Sequence, residues 1–183
     1  MADKKHYCDV LIIGSGIAGL SAAITAADLG LDVVVINKEP DLTESNTYYA
    51  QGGIIGRGKE DSPELLVRDL TEAGVDLNNR QAVRILASEG PKLVEEFLVK
   101  RLGVPFSRAQ GDHLEYIREA AHSTERILHS ADSTGEAIQT TLIAALLKCP
   151  NVQVLPAHTA VDLLTPSHHA SDRRAVYEPL SCA

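Results

Sequence analysis

Apolar and polar positions along this chain follow two rhythms. Val10 to Ile13, preceded by Asp9, and Val33 to Ile36 are short β-branched apolar runs of the kind that fill buried parallel strands. Between them, Leu20 to Leu29 carries Ala, Leu and Ile at helical spacing, and Gly30 is placed to stop that helix in a left-handed conformation. The three pieces form a βαβ unit of about 30 residues, the size of a parallel crossover. The pattern further predicts helices over Pro63 to Ala73, Arg80 to Ser88 and Pro91 to Leu102, the last closed by Gly103. Ser62-Pro63-Glu64 supplies a capping hydroxyl, a proline for the first turn and an acid beside the positive helix end. Ser133-Thr134-Gly135-Glu136 fits a capping box and leads into an apolar helix, Ala137 to Leu147. Val152 to Leu155 and Ala160 to Leu164 read as two more short strands. Lys38 to Ser62 and Gly103 to Glu119 have no apolar period; a loop as long as the first, inside a compact domain, is functional or disordered. The expected fold is α/β and Rossmann-like, with a parallel sheet over residues 1–165 and a polar tail over 166–183.

Composition narrows the function classes. With 183 residues, 44% of them hydrophobic, the chain has enough apolar side chains for one sizeable core. A net charge of −8 with no clustered Lys or Arg argues against a nucleic-acid binder or an anionic-membrane binder. No apolar run approaches the roughly 20 residues of a membrane span. Met1 to His6 is polar and charged, unlike a secretory signal. Cys8, Cys149 and Cys182 are scattered, without the spacing of a zinc site or a disulfide framework, so a reducing, cytoplasmic setting is expected. No metal site is expected either: His122 and His129 are seven apart, not the four of a helical metal pair.

Gly14-Ser15-Gly16-Ile17-Ala18-Gly19 is a GxGxxG, a weak pattern alone. Here it follows a predicted strand, opens a helix and leads to a second strand, the context that makes it a dinucleotide-binding turn. Gly14 makes the tight turn, Gly16 lets backbone approach the pyrophosphate, and Gly19 lets helix and strand pack closely. The helix start offers N–H groups and a positive dipole end to the diphosphate. An acid holding the ribose is expected about 20 residues further on. Counting gives Glu39, but the second strand ends near Asn37, so Asn37 as ribose acceptor and Lys38 as phosphate partner compete with it. Glu39 reads better as a solvated loop charge.

The segment Ser45-Asn46-Thr47-Tyr48-Tyr49-Ala50-Gln51-Gly52-Gly53-Ile54 resembles the flavin-contacting loop of the succinate dehydrogenase, fumarate reductase and L-aspartate oxidase superfamily. A second stretch agrees: Arg118-Glu119-Ala120-Ala121-His122-Ser123, then Arg126-Ile127-Leu128-His129, Asp132 and Thr134-Gly135, which is similar to the L-aspartate oxidase pattern around its substrate-side carboxylate. The resemblance runs from about Cys8 to Leu164. It implies a Rossmann-like FAD-binding domain, incomplete at its C-terminus.

By the resemblance, FAD contacts fall on Ser15, Gly16, Ile17, Ala18, Lys38, Asn46, Thr47, Tyr48, Tyr49, Ala50, Gln51, Gly52 and Gly53, and more weakly on Thr159 and Ala160. Asn46 stands where covalent members of the superfamily carry a histidine, so FAD is expected to be noncovalent. Glu119 stands where the dicarboxylate enzymes carry an aromatic residue, and a carboxylate there suits the α-ammonium of L-aspartate. His122, His129 and Arg126 read as groups that hydrogen-bond their own loop rather than as acid–base catalysts. The implied reaction is oxidation of L-aspartate to iminoaspartate, with dioxygen or fumarate as electron acceptor and quinolinate synthase as the downstream partner in NAD biosynthesis. No residue here matches the family's catalytic arginine, which is expected beyond Ala183 together with the capping domain. This chain alone is therefore expected to be inactive. The rival readings are a fumarate reductase-like enzyme, an NAD-binding Rossmann domain and an inert nucleotide-binding fragment.

Overall fold

A computed structural model of the protein describes residues 5–164. Strand β1 (Val10–Ile13), helix α1 (Ile17–Asp28) and strand β2 (Val33–Ile36) form the expected crossover, with β1 and β2 parallel and in register from Val10–Val33 to Ile13–Ile36. Helix α1 begins three residues earlier than its apolar period suggests, directly on the glycine turn. Gly30, at φ 80°, follows its end in the left-handed region, and Gly103, at φ 68°, does the same after the later helix.

Strand β3 (Ile54–Ile55) lies inside the stretch without apolar period, and helix α2 (Pro63–Ala73) follows. Ser62 Oγ accepts from the Leu65 amide, and Pro63 and Glu64 occupy the first turn as the sequence predicts. The two helices predicted at Arg80 to Ser88 and Pro91 to Leu102 are in fact one. Helix α3 (Arg80–Leu93) runs without a break into a π-helical segment, Val94–Arg101. Pro91 sits inside α3 and cannot donate to the Ala87 carbonyl four residues back. Arg57 Nη2 donates to that carbonyl instead, at 2.7 Å, so the helix continues across a residue that would otherwise end it.

Strand β5 (Ile127–Leu128) pairs antiparallel with β4 (Tyr116–Ile117) on one side and with β3 on the other, giving a small sheet in the order β3-β5-β4. Each strand is two residues long, too short to show a period. Helix α4 (Thr134–Leu146) and strand β6 (Val152–Leu155) complete the main sheet, parallel throughout, in the order β1-β2-β6. The predicted capping box does not form: Ser133 is the N-cap but makes no capping bond, and Thr134 Oγ1 instead accepts from the Ser130 amide. Ala160 to Leu164 forms no strand. The polar tail 166–183 lies outside the described residues.

Alternation along the strands puts Val10, Ile12, Val33, Val35, Val152 and Val154 on one face of the main sheet. Leu20, Ala23, Ile24 and Ala27 of α1 and Ile138, Leu142 and Leu146 of α4 pack onto that face. Each fully buried Leu, Ile or Val among them contributes about 1.5–3 kcal/mol. This core fixes the start of α1 against the carboxyl ends of β1 and β2, and so positions the glycine turn.

Candidate dinucleotide site and the carboxylate beside it

The turn between β1 and α1 is built as its glycines require. Gly14, at φ 100°, adopts a backbone conformation closed to ordinary L-residues, and its amide donates to the Ile36 carbonyl at 2.9 Å. Gly19 lies so close to the turn that a side-chain carbon there would fall 2.1 Å from the Gly14 carbonyl oxygen. Gly16 has ordinary extended backbone, φ −71° and ψ 176°, so space alone argues for glycine: a side-chain carbon would approach Thr47 Oγ1 to 3.3 Å. As N-cap, Gly16 places no side chain over the α1 amides, and Ile17 N–H already donates to Thr47 Oγ1 at 3.0 Å.

A cleft of about 480 Å³ opens at this turn. Gly14, Ser15, Gly16, Lys38, Asn46, Thr47, Thr159 and Ala160 line it, together with Asn37, Glu44, Ser45 and His158. It sits where ligands bind in open α/β sheets, beyond the carboxyl ends of the strands and at a helix N-terminus. Donor groups and helix polarity fit a diphosphate. Ile17, Ala18 and Gly19 form the first turn of α1 at its edge.

The ribose assignments change. Asn37 is buried and occupied within the protein: Ser15 Oγ donates to its Oδ1 at 3.1 Å, and its Nδ2 donates to the Glu39 and Asp41 carbonyls. It braces the loop rather than standing free for a ribose. Lys38 is exposed and pairs with Glu39 at 3.5 Å, which makes Glu39 a loop charge facing a neighbour. Sequence reasoning missed Gln139. Fully buried on α4, it donates through Nε2 to the carbonyls of Ser15 and Leu42 and so holds the glycine turn from below. A glutamine on an apolar helix was the available signal. His158, also missed, joins the cleft through its amide, which donates to the Asn37 carbonyl at 2.9 Å.

From Asn46 and Thr47 the chain leaves the cleft. Tyr48 donates its hydroxyl to Glu136 and Tyr49 to Glu44, and each carboxylate pushes its phenol's pKa up. Ala50 accepts from the Gly135 amide at the start of α4. Gln51 and Gly52 are exposed. Gly53 packs so tightly on β5 that a side-chain carbon would strike Ile127 and the Leu128 carbonyl. Its amide donates to Glu119 Oε1 at 3.3 Å, and a side-chain carbon added at Gly52 would come within 4 Å of the same carboxylate. The structure thus brings Glu119, 66 residues away in sequence, to the end of the loop that begins in the cleft.

Behind Glu119 lies a buried ionic cluster. Arg126, fully buried, has Nη1 donating to Asp69 Oδ2 at 2.6 Å and Nη2 lying 2.8 Å from Asp61 Oδ1, the latter an ion pair without hydrogen-bond alignment. The Ser123 amide and hydroxyl both donate to the same Asp69 oxygen at 2.8 Å. Burial pushes the Asp69 carboxyl up, but the bonds from Ser123 and the Arg126 guanidinium outweigh it and hold its pKa down at about 2. His122 Nδ1 lies 3.0 Å from Arg126 Nη1, so the nitrogen facing the guanidinium is an acceptor and carries no proton. His129 lies 3.5 Å from Glu115. Among the described residues no three His, Cys, Asp or Glu side chains gather as a metal site, and no helix is long and apolar enough to cross a membrane.

A parallel βαβ sheet with a glycine turn at a helix start and a cleft at the strand ends defines a dinucleotide-binding domain. The chain belongs to the FAD binding domain family, whose sequence profile matches residues 9–177, and FAD is the cofactor of that family. It is 43% identical over 181 residues to the L-aspartate oxidase of Vibrio cholerae, a match that covers 96% of this chain and 33% of that protein. It is 41% identical over 166 residues to the chloroplastic L-aspartate oxidase of Arabidopsis thaliana, covering 90% of this chain and 25% of that one. The chain therefore spans a third or less of the length of these curated relatives. Among solved structures it is similar to Mycobacterium smegmatis Sdh1, with TM-score 0.82 and 27% identity over 88% of this chain and 29% of that one. It is also similar to the E. coli quinol fumarate reductase FrdA, with TM-score 0.79 and 29% identity over 86% and 27% of the two chains.

Proposed function

We propose that this chain is the N-terminal, FAD-holding part of an L-aspartate oxidase, which converts L-aspartate to iminoaspartate with dioxygen or fumarate as final electron acceptor. Glu119 is the observation that carries the reading. It is an exposed carboxylate held by the Gly53 amide, at the far end of a loop that starts in the dinucleotide cleft. Aspartate differs from succinate by one ammonium group on Cα, and a carboxylate is the side chain that recognises it, through a charge-assisted hydrogen bond. The identities of 43% and 41% to L-aspartate oxidases support the same substrate class.

FAD, when bound, supplies the two-electron acceptor. The chain's own residues would hold and orient. Gly14, Ser15, Gly16, Ile17, Ala18 and Gly19 would present backbone to the diphosphate, with Lys38, Asn46, Thr47, Thr159 and Ala160 along the cleft wall. Tyr48, Tyr49, Ala50, Gln51, Gly52 and Gly53 would carry the contact on toward Glu119. Asn46 has no nucleophilic nitrogen for a flavin bond, so the cofactor is held noncovalently. The reading sets the enzyme in the cytoplasm, with quinolinate synthase taking its product.

A fumarate reductase-like activity is the second reading, favoured by the likeness to the E. coli quinol fumarate reductase. One experiment separates them. In the protein as encoded in its genome, Glu119→Gln should lower kcat/KM for L-aspartate by about 10- to 150-fold, the loss of a charge-assisted bond worth about 1.5–3 kcal/mol. Fumarate reduction should change far less, since fumarate carries no cation. An equal fall for both substrates would remove the aspartate reading.

A further inference from the structure

We infer that Asp69, Ser123 and Arg126 form a latch, built on the buried Asp69–Arg126 pair, that positions Glu119, so that affinity for the substrate's ammonium group is set from helix α2. The inference rests on the reading of Glu119 as the ammonium-binding group. Glu119 opens a turn in the loop between β4 and β5, and that turn is closed by the His122 amide donating to the Glu119 carbonyl. Within that loop, Ala121 takes a left-handed backbone, φ 66°, unfavourable for alanine, so something must hold the turn in place.

The latch supplies the hold. One oxygen, Asp69 Oδ2, accepts from the Ser123 amide, the Ser123 hydroxyl and Arg126 Nη1. The remaining Nη1 hydrogen points at His122 Nδ1, and the His122 amide donates to the Glu119 carbonyl at 3.2 Å. Of the five residues that follow Ala121, Ser123 and Arg126 are thus tied directly to one carboxylate and His122 through Arg126, and the tie ends on the backbone of Glu119 itself. Arg126 is anchored in turn: its amide donates to the Ile117 carbonyl, and its carbonyl accepts from the Gly56 amide. Asp61 closes the far side of the guanidinium, and Arg57 Nη1 donates to Asp61 Oδ2 at 2.9 Å. Asp61 and Asp69 thus each meet cationic partners, Arg126 between them with Arg57 on Asp61 and Arg68 3.7 Å from Asp69, and a buried carboxylate needs such partners to be stable. None of these groups lies on the dinucleotide cleft. Asp69, Ser123 and Arg126 are positioning residues, acting through Glu119.

A loosened latch leaves Glu119 in place chemically but free to wander. The expected mark is a rise in KM for L-aspartate, with kcat and flavin content little changed. Asp69→Asn keeps the shape and removes the charge that collects three donors. Ser123→Ala removes one donor alone and is the variant to rely on if Asp69→Asn fails to fold. The experiment is a double-mutant cycle with Glu119→Gln, in the protein as encoded. KM for L-aspartate and hydrogen exchange across residues 117–126 are read for each variant. The expected result is a KM about 10-fold higher in Asp69→Asn and about 3-fold higher in Ser123→Ala, with faster exchange in that segment, and no further KM change when either is added to Glu119→Gln. If Glu119→Gln alone raises KM but the latch variants leave it unchanged, or add their effects to it independently, the latch is merely structural and the proposal fails while the reading of Glu119 stands. If Glu119→Gln leaves KM unchanged, the reading of Glu119 fails and the latch proposal with it.

Discussion

At the scale of single residues, two glycines of one motif do different work. Gly19 faces backbone: an added methyl would meet the Gly14 carbonyl at 2.1 Å, and neither partner can swing away. Gly16 faces only Thr47 Oγ1, at 3.3 Å, and the cleft. Gly19→Ala should therefore act on the fold, lowering stability by about 1–3 kcal/mol, the usual cost of overpacking. Gly16→Val should act on the cofactor, because its methyl groups would stand where a diphosphate approaches the turn. The check is flavin recovered in the supernatant after acid precipitation, beside the melting temperature of each variant. Gly16→Val should release almost no flavin while melting near the apo parent, and flavin should leave the parent fully, as a noncovalent cofactor does. Unchanged flavin in Gly16→Val would place the diphosphate elsewhere. The glycine spacing was legible in the sequence because it repeats a backbone requirement. Gln139 and Asn37 were not, because their roles depend on carbonyls of Ser15, Leu42, Glu39 and Asp41 that the chain brings near only on folding.

Elements divide along the same line. Strands β1, β2 and β6, helix α2 and the body of α4 follow from period and caps, which are local. Strands β3, β4 and β5 do not: each is two residues long, and β3 finds its partner more than 70 residues away, at Ile127 and Leu128. The break predicted before Pro91 is the instructive error. Local rules say that a proline removes a donor and ends a helix. They do not see Arg57, which supplies the missing donor from 30 residues away in sequence. Arg57→Met should leave the Ala87 carbonyl without a donor and Asp61 Oδ2 without its Arg57 hydrogen bond, at a cost of about 1–3 kcal/mol. Pro91→Ala restores an amide to the Ala87 carbonyl, so Arg57→Met should be milder in that background. Denaturant midpoints of the four members of the cycle decide this, and strictly additive losses would mean that Arg57 does not serve the helix.

On the scale of the whole molecule, the buried charges join segments that the hydrophobic core leaves apart. The core ties α1 and α4 to the main sheet, whereas Asp69 on α2 ties that helix to the loop before β5. Acid should therefore loosen this second junction by a route of its own. An aspartate ordinarily titrates near 3.8, and Asp69 in the folded protein is held at about 2 by Ser123 and Arg126 against the opposing push of burial. A carboxyl whose folded pKa is depressed stabilises the fold fully above its unfolded value, and loses that contribution as the pH falls through the folded one. The contribution should be complete above about pH 5, fall between pH 4 and 2 and vanish below. The groups facing it act in the same direction: Arg126 and Arg68 stay cationic throughout, with Arg68 Nη2 3.7 Å from Asp69 Oδ1. Asp61 lies on the opposite side of the Arg126 guanidinium and is the one other carboxylate of the cluster. Asp69→Asn has no such group to titrate. Urea unfolding of the parent and of Asp69→Asn, measured at pH 5.5 and again near pH 2.5, should show a stability gap that narrows at the lower pH. A gap of constant size would mean that the cost of Asp69→Asn lies in packing rather than in the lost carboxylate. The charge-based junction between α2 and the Glu119 loop would then have to be abandoned.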